Sequence, residues 1–324
     1  AVNFTNGITE SAVAVTEETT TEKYIKWVDF SVPCNALSDA MELDISTFGS
    51  EKHLSWIDTL SFLACKNGGN WGGYKRSQLD KLVEALSDSM TVDDLMADNK
   101  YYSFYKEAYG AVLGGMIGEY TKAAPDGNGG IKIIEGYGLK TYSPIAEGFW
   151  FSHYDDFGVS RSYGYKRRHL GNDLMGSIGT PIVAIEGGTV EAMGWNRYGG
   201  WRVGIRSFDG KRYYYYAHLQ KDKPFAPGLA EGDLVQAGDL IGYMGRTGYS
   251  DKENVNNIET VHLHFGMQLI FDESQKECNS EIWIDVYNIV RLLHSHRSSI
   301  RNDQRIYPYL DLDEELFPNR KSAL

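Results

Sequence analysis

The chain has 324 residues, 42% apolar and 23% charged, a composition that fits a folded globular protein of about two domains and excludes a disordered or fibrous one. Its 32 basic residues against 44 acidic ones leave a net charge of −12, which repels phosphate backbones and anionic lipid, so no nucleic-acid partner is expected. Three cysteines, Cys34, Cys65 and Cys278, lie far apart without C-x-x-C spacing and describe neither a disulfide framework nor a cysteine zinc site.

The sequence opens Ala1-Val2-Asn3, with no basic-then-apolar leader, so any export signal or membrane anchor is expected to lie outside it. Residues 1–22, ending in Thr16-Glu-Glu-Thr-Thr-Thr-Glu22, are acidic and aperiodic and read as a flexible linker. The texture from 23 to 122 is helical. Leu79, Leu82, Val83 and Leu86 recur at i, i+3, i+4, i+7 behind Ser77 as N-cap, Thr91 with Asp94 nearly makes a second cap ahead of Leu95, and a helix over 54–65 closes at Asn67-Gly68-Gly69. Gly110, Gly114 and Gly118 fall four apart on one face of an expected helix over 101–120, where they let another helix approach. No stretch reaches the roughly 18 to 20 apolar residues of a membrane span. We therefore expect a helical accessory domain over 23–122.

Residues 123–140, with Pro125-Asp-Gly-Asn-Gly-Gly130, carry loop chemistry and predict the interdomain connection. Beyond it, 17 of the 35 glycines lie between Gly164 and Gly248, interleaved with short β-branched and aromatic runs such as Pro181–Ile185 and Arg212–His218. That pattern predicts an antiparallel all-β domain over 141–300, closed by a helix on which Val286, Ile289, Val290 and Leu293 form one face. A C-terminal tail follows over 301–324.

Four of the eight histidines and one aspartate concentrate the chemistry: His169-Leu-Gly-Asn-Asp173, Tyr216-Ala-His218 and His262-Leu-His264. Strand period two turns His262 and His264 to one face, so one can bind a metal while the other works beside it. Gly171-Asn172 favours a loop that curls His169 and Asp173 around a site. Two imidazoles and one carboxylate, with a position left for water, form the ligand set of a catalytic zinc. His218, after Tyr214 and Tyr216, is directed into the same groove, and Tyr163, Tyr165 and Tyr216 are candidates to line it. His153-Tyr-Asp-Asp156 is a weaker candidate for a second metal, and Glu51, His53 and Glu119 carry little information.

Five blocks together resemble the lysostaphin/LytM-type zinc endopeptidases of bacterial cell walls. They are 169–173, Gly179–Val190, Tyr216–Leu219, Glu231–Gly248 and His262–Phe265. The resemblance covers about Tyr163 to Asp285 and implies a duplicated hybrid motif fold. It implies one zinc held by His169, Asp173 and His264, with His218 and His262 as catalytic histidines and a peptidoglycan stem peptide or cross-bridge as substrate. It also implies action outside the cell or at its envelope. The stretch 249–261, rich in Asp, Asn, Lys and Glu, departs from the family's short connection and is expected to border the cleft. An alternative reading is a catalytically silent or latent zinc-binding scaffold whose helical half contacts a protein partner.

Overall fold

In the helical half some local signals act as expected and others, the Ser77 cap among them, do not. Ser55 Oγ accepts the Ile57 amide at 3.2 Å to start one helix, and Gly68 ends it in the left-handed region at φ 59°. The computed structural model describes residues 24–86, 90–126, 128, 130–163, 165–276, 280–301 and 304–305. The expected linker over 1–22, Cys278 and most of the tail over 301–324 lie outside the described residues. The helices are α1 (Cys34–Thr47), α2 (Trp56–Asn67), α3 (Ser77–Ala85), α4 (Val92–Met96) and α5 (Tyr102–Leu113). Thr91 and Asp94 form a reciprocal capping box on α4. Ser77 is the first residue of α3 and does not cap it, because Arg76 already adopts helical angles.

Two expectations fail between 110 and 140. Helix α5 stops at Gly114, so Gly114 and Gly118 do not continue a helical face. The segment read as an interdomain loop is part of a hairpin, β1 (Ile117–Pro125) and β2 (Ile131–Leu139), paired without interruption from Ile117↔Leu139 to Pro125↔Ile131. The Pro-Asp-Gly-Asn-Gly-Gly run is its turn: Asp126 Oδ1 accepts from the amides of Asn128 and Gly130 at 2.7 and 2.8 Å.

The glycine-punctuated half is β-rich. Its elements are β3 (Ser152–His153), β4 (Ser160–Tyr163), β5 (Tyr165–Arg168), β6 (Asn172–Met175), β7 (Pro181–Val183), β8 (Gly188–Asn196), β9 (Gly200–Ser207), β10 (Arg212–Ala217), β11 (Leu234–Val235), β12 (Leu240–Tyr243), β13 (His262–Leu269) and β14 (Ile282–Ile284), then helix α6 (Tyr287–Leu292). Among the described residues the largest sheet has eight strands, in the order β11-β8-β9-β10-β13-β6-β3, with β14 also on β13. Every pairing in it is antiparallel.

The two halves share one hydrophobic core. Leu37, Leu60, Leu63, Val112 and Leu113 from the helices belong to the same buried cluster as Ile205, Tyr214, Phe265, Met267 and Ile289 from the β half. A charged tie reinforces it: Arg212, 1% exposed, donates to Glu186 Oε2 at 2.8 Å through Nε and to the Ala111 carbonyl of α5 at 2.8 Å through Nη1.

Candidate metal centre

Strand register assembles the site. In the β6–β13 ladder Asp173 sits opposite His264, and in the β10–β13 ladder His264 sits opposite Ala217. Three neighbouring strands thus bring Asp173, His264 and the end of β10 into one row, and period two adds His262 on the same face. His169 enters from the short loop between β5 and β6. Gly171 in that loop is required by space, since a Cβ there would meet the Phe265 carbonyl at 2.6 Å and His264 Cε1 at 2.8 Å.

Three donor atoms converge. His169 Nε2 lies 2.8 Å from His264 Nδ1 and 3.0 Å from Asp173 Oδ1, and His264 Nδ1 lies 3.3 Å from Asp173 Oδ1. Lone pairs this close repel unless a proton or a cation lies among them. Tetrahedral zinc with ligand bonds of 2.0–2.2 Å has edges of about 3.3 Å, so the donor set fits such an ion. The unused atoms are oriented by neighbours: His169 Nδ1 donates to the Asp156 carbonyl at 3.0 Å, and Arg161 donates to Asp173 Oδ2 at 3.0 Å. Burial opposes a charged His169, but hydrogen bonds to Asp156 and Asp173 outweigh it and push its pKa up to about 9. Burial likewise opposes ionised Asp173, yet hydrogen bonds from His169 and His264 hold the carboxyl far below its usual range. Without a cation this cluster holds a proton that a divalent ion can replace.

His218 and His262 stand beside the cluster with a different bonding pattern. Each donates its Nδ1–H to a backbone carbonyl, Thr247 and Thr260 respectively, both at 2.9 Å, which leaves Nε2 with the lone pair. Their rings are 4.8 Å apart, and His262 Nε2 is 3.7 Å from Asp173 Oδ1. Burial, together with His262 and His264 nearby, depresses the His218 pKa well below the ordinary value and keeps its ring neutral. These residues face a groove of about 400 Å³ whose described lining residues all fall between Arg161 and Trp283, outside the helical half.

The tyrosine expectations need correcting. Tyr216 does not line the groove: it is 0% exposed, packs against Phe265 and holds its hydroxyl against the Ile185 amide at 3.0 Å. Strand alternation sends Tyr214 and Tyr216 to the core and Tyr213 and Tyr215 to the groove. By the same alternation residue 218 would follow 216 inward, but His218 has φ 62°, which turns its ring into the groove. Tyr163 and Tyr165 have side chains outside the described residues. Tyr198 and Tyr249 line the groove and were not anticipated; of the 249–261 stretch, Tyr249 alone is among the described lining residues. His153 and Asp156 make no separate metal site, since His153 packs on Tyr287 and Asp156 supports His169 and Arg161. His53 is bonded to buried Asp44 at 2.8 Å in the helical half, away from the groove.

Residues 167–279 match the model of peptidase family M23. The L-Ala–D-Glu endopeptidase of Bacillus subtilis is 38% identical over 117 residues, covering 36% of this chain and 34% of that protein. Lysostaphin of Staphylococcus simulans is 34% identical over 125 residues, covering 36% and 22%. The chain thus spans about a third or less of the length of these curated relatives. A Ruminococcus gnavus crystal structure assigned as a glycyl-glycine endopeptidase lytM superposes with a TM-score of 0.55 at 25% identity, over 83% of this chain and 90% of that one. That likeness extends beyond the β half into the helices. Residues 167–279 thus form a domain similar to peptidase family M23 and to its lysostaphin/LytM-type members.

Proposed function

We propose that the protein is a zinc endopeptidase that hydrolyses peptide bonds in bacterial peptidoglycan, in the stem peptide or the cross-bridge. The observation that carries this reading is the triangle of His169 Nε2, Asp173 Oδ1 and His264 Nδ1 on the wall of a groove that neutral His218 also lines. These three residues would hold the ion, with Asp156 and Arg161 fixing them from behind. Zinc bound there would supply Lewis acidity, making water nucleophilic near pH 7 and polarising the scissile carbonyl. His218 Nε2 accepts the proton of the attacking water, because its Nδ1–H is committed to Thr247. The proton then passes to the leaving amine, so the imidazole returns to its neutral form. His262, fixed by Thr260 through its Nδ1–H and 4.8 Å from the His218 ring, is placed to relay that same proton toward the leaving amine. The β half is read as a duplicated hybrid motif peptidase domain over 141–300, the helices over 23–122 as an accessory unit, and the place of action as the cell envelope or beyond it.

The test is mass spectrometry of purified peptidoglycan incubated with zinc-loaded protein and with a His169→Ala control. New amino termini at one defined peptide bond, absent in the control, are the expected result. Stoichiometric zinc with no released peptide would instead favour the silent scaffold.

A further inference from the structure

Next to the metal cluster the hairpin β4–β5 sets Arg161 directly opposite Arg167. Like charges facing each other across two strands are destabilising. For Arg161 the compensation is plain, since Asp156 and Asp173 both accept from it. Arg167 has a different environment. Its guanidinium carbon stands 4.6 Å from the Tyr198 ring centre and 5.1 Å from that of Tyr249, and Nη1 is buried with no hydrogen-bond partner. Aromatic faces orient a guanidinium without satisfying its N–H donors. A buried cationic donor left open beside a groove is costly, and a carboxylate is the group that matches its fork.

The other charges along the groove do not fill this role. Glu191 is held by Lys276 and Arg206, and Glu281 accepts from Trp283 Nε1 at 2.8 Å. Tyr249 links the two centres: Arg167 lies on it, and its ring is 6.0 Å from that of His218. One aromatic ring therefore separates the Arg167 guanidinium, itself part of the groove wall, from the proposed base.

We propose that Arg167 reads a carboxylate on a residue flanking the scissile bond, so that the preferred substrate is an acidic stem peptide and not a neutral glycine bridge. This rests on the peptidoglycan endopeptidase reading above. The Bacillus subtilis relative and the Ruminococcus gnavus structure differ on this point by their names: a D-Glu beside the cut bond brings a carboxylate, whereas a glycyl-glycine bond brings none.

The test uses the full chain and three synthetic peptides: a stem peptide with the free D-Glu carboxylate, the same peptide as its carboxamide, and pentaglycine. Affinity is measured on the metal-stripped protein by calorimetry and kcat/KM on the zinc-loaded one. Wild type should favour the free acid over the carboxamide by about tenfold or more in both measurements. Arg167→Gln should bring the ratio within about twofold, and Arg167→Lys, which keeps the charge without the fork, should fall between. Equal handling of acid and carboxamide by wild type, or a ratio that survives Arg167→Gln, overturns the proposal. Should Arg167→Gln fail to fold, the wild-type ratio and Arg167→Lys decide alone. Cleavage of pentaglycine without acid preference would remove the Arg167 role and keep the hydrolase. An affinity ratio with no cleavage of any peptide would do the reverse.

Discussion

His169 Nε2 and His264 Nδ1 stand 2.8 Å apart although 95 residues separate them in the chain. Bringing two imidazole nitrogens and the Asp173 carboxylate together is unfavourable unless something positive lies among them. Chelation should therefore abolish activity and lower Tm, and zinc should restore both. His169→Ala, Asp173→Ala and His264→Ala should each lose stoichiometric zinc by elemental analysis. His218→Ala and His262→Ala should keep it while kcat falls by roughly 10²–10⁴. Full activity in any of the five variants contradicts the assignment.

Arg161 spans Asp156 and Asp173 with one guanidinium nitrogen, leaving Asp173 Oδ1 for the cluster. It acts through these carboxylates and is a positioning residue. Arg161→Gln should weaken zinc about 10- to 100-fold in a chelator competition with little change in the circular dichroism spectrum. An unchanged zinc affinity would remove Arg161 from the site.

Much of this site was legible from short-range periodicity. H-x-H on a strand places His262 and His264 on one face, and the glycine in His169–Asp173 announces a turn. Pairing register was not legible, because Asp173↔His264 and Ala217↔His264 join segments about 90 and 50 residues apart. The tyrosine error has a local cause: Tyr214 and Tyr216 share a strand face, and that face is the core. His218 escapes it only through a left-handed residue that no spacing rule marks. Asp156 and Arg161 carry no fixed offset from the ligands, so Asp156 was marked only as part of a weak second-metal candidate and Arg161 not at all. The β1–β2 hairpin was missed because its turn chemistry was read as a boundary, although Ile131, Ile133 and Ile134 follow it at once.

His153 offers a pH dependence separate from catalysis. Burial, with Arg291 nearby, depresses its pKa to about 4, and Nε2 is buried without a partner. The folded state thus disfavours the charged ring. Between pH 6.5 and 4 the unfolded chain binds the extra proton, so this stability is present above 6.5 and is lost as pH falls toward 4. His153→Phe, which keeps a ring against Tyr287, should reduce the fall in Tm between pH 7 and 4.5 by on the order of 3 °C relative to wild type. Parallel Tm-against-pH curves for the two proteins would show that His153 does not titrate in that window.

The shared core bears on whether the peptidase half can stand alone. Val112, Leu113, Leu60 and Leu63 belong to one buried cluster with apolar side chains of the β half, and Arg212 reaches through to the Ala111 carbonyl. Burial alone lowers the Arg212 pKa, but Glu186 and Asp209 more than compensate and keep it charged. Removing the helices would expose that surface and leave Arg212 without one acceptor. A chain beginning at Gly138 should therefore melt without cooperativity or aggregate, whereas the full chain melts in one transition. Within the full chain, Glu186→Gln should cost about 3 kcal/mol in urea unfolding, because it leaves half-exposed Asp209 as the remaining countercharge of a buried cation, and the double change Glu186→Leu with Arg212→Met should recover most of it. If instead the shortened chain melts cooperatively at the full-length Tm and cuts peptidoglycan at the same rate, the helices neither complete the core nor restrain the groove. A soluble, cooperatively folded but faster short form would assign them a restraining role, so melting and turnover have to be measured on the same preparation.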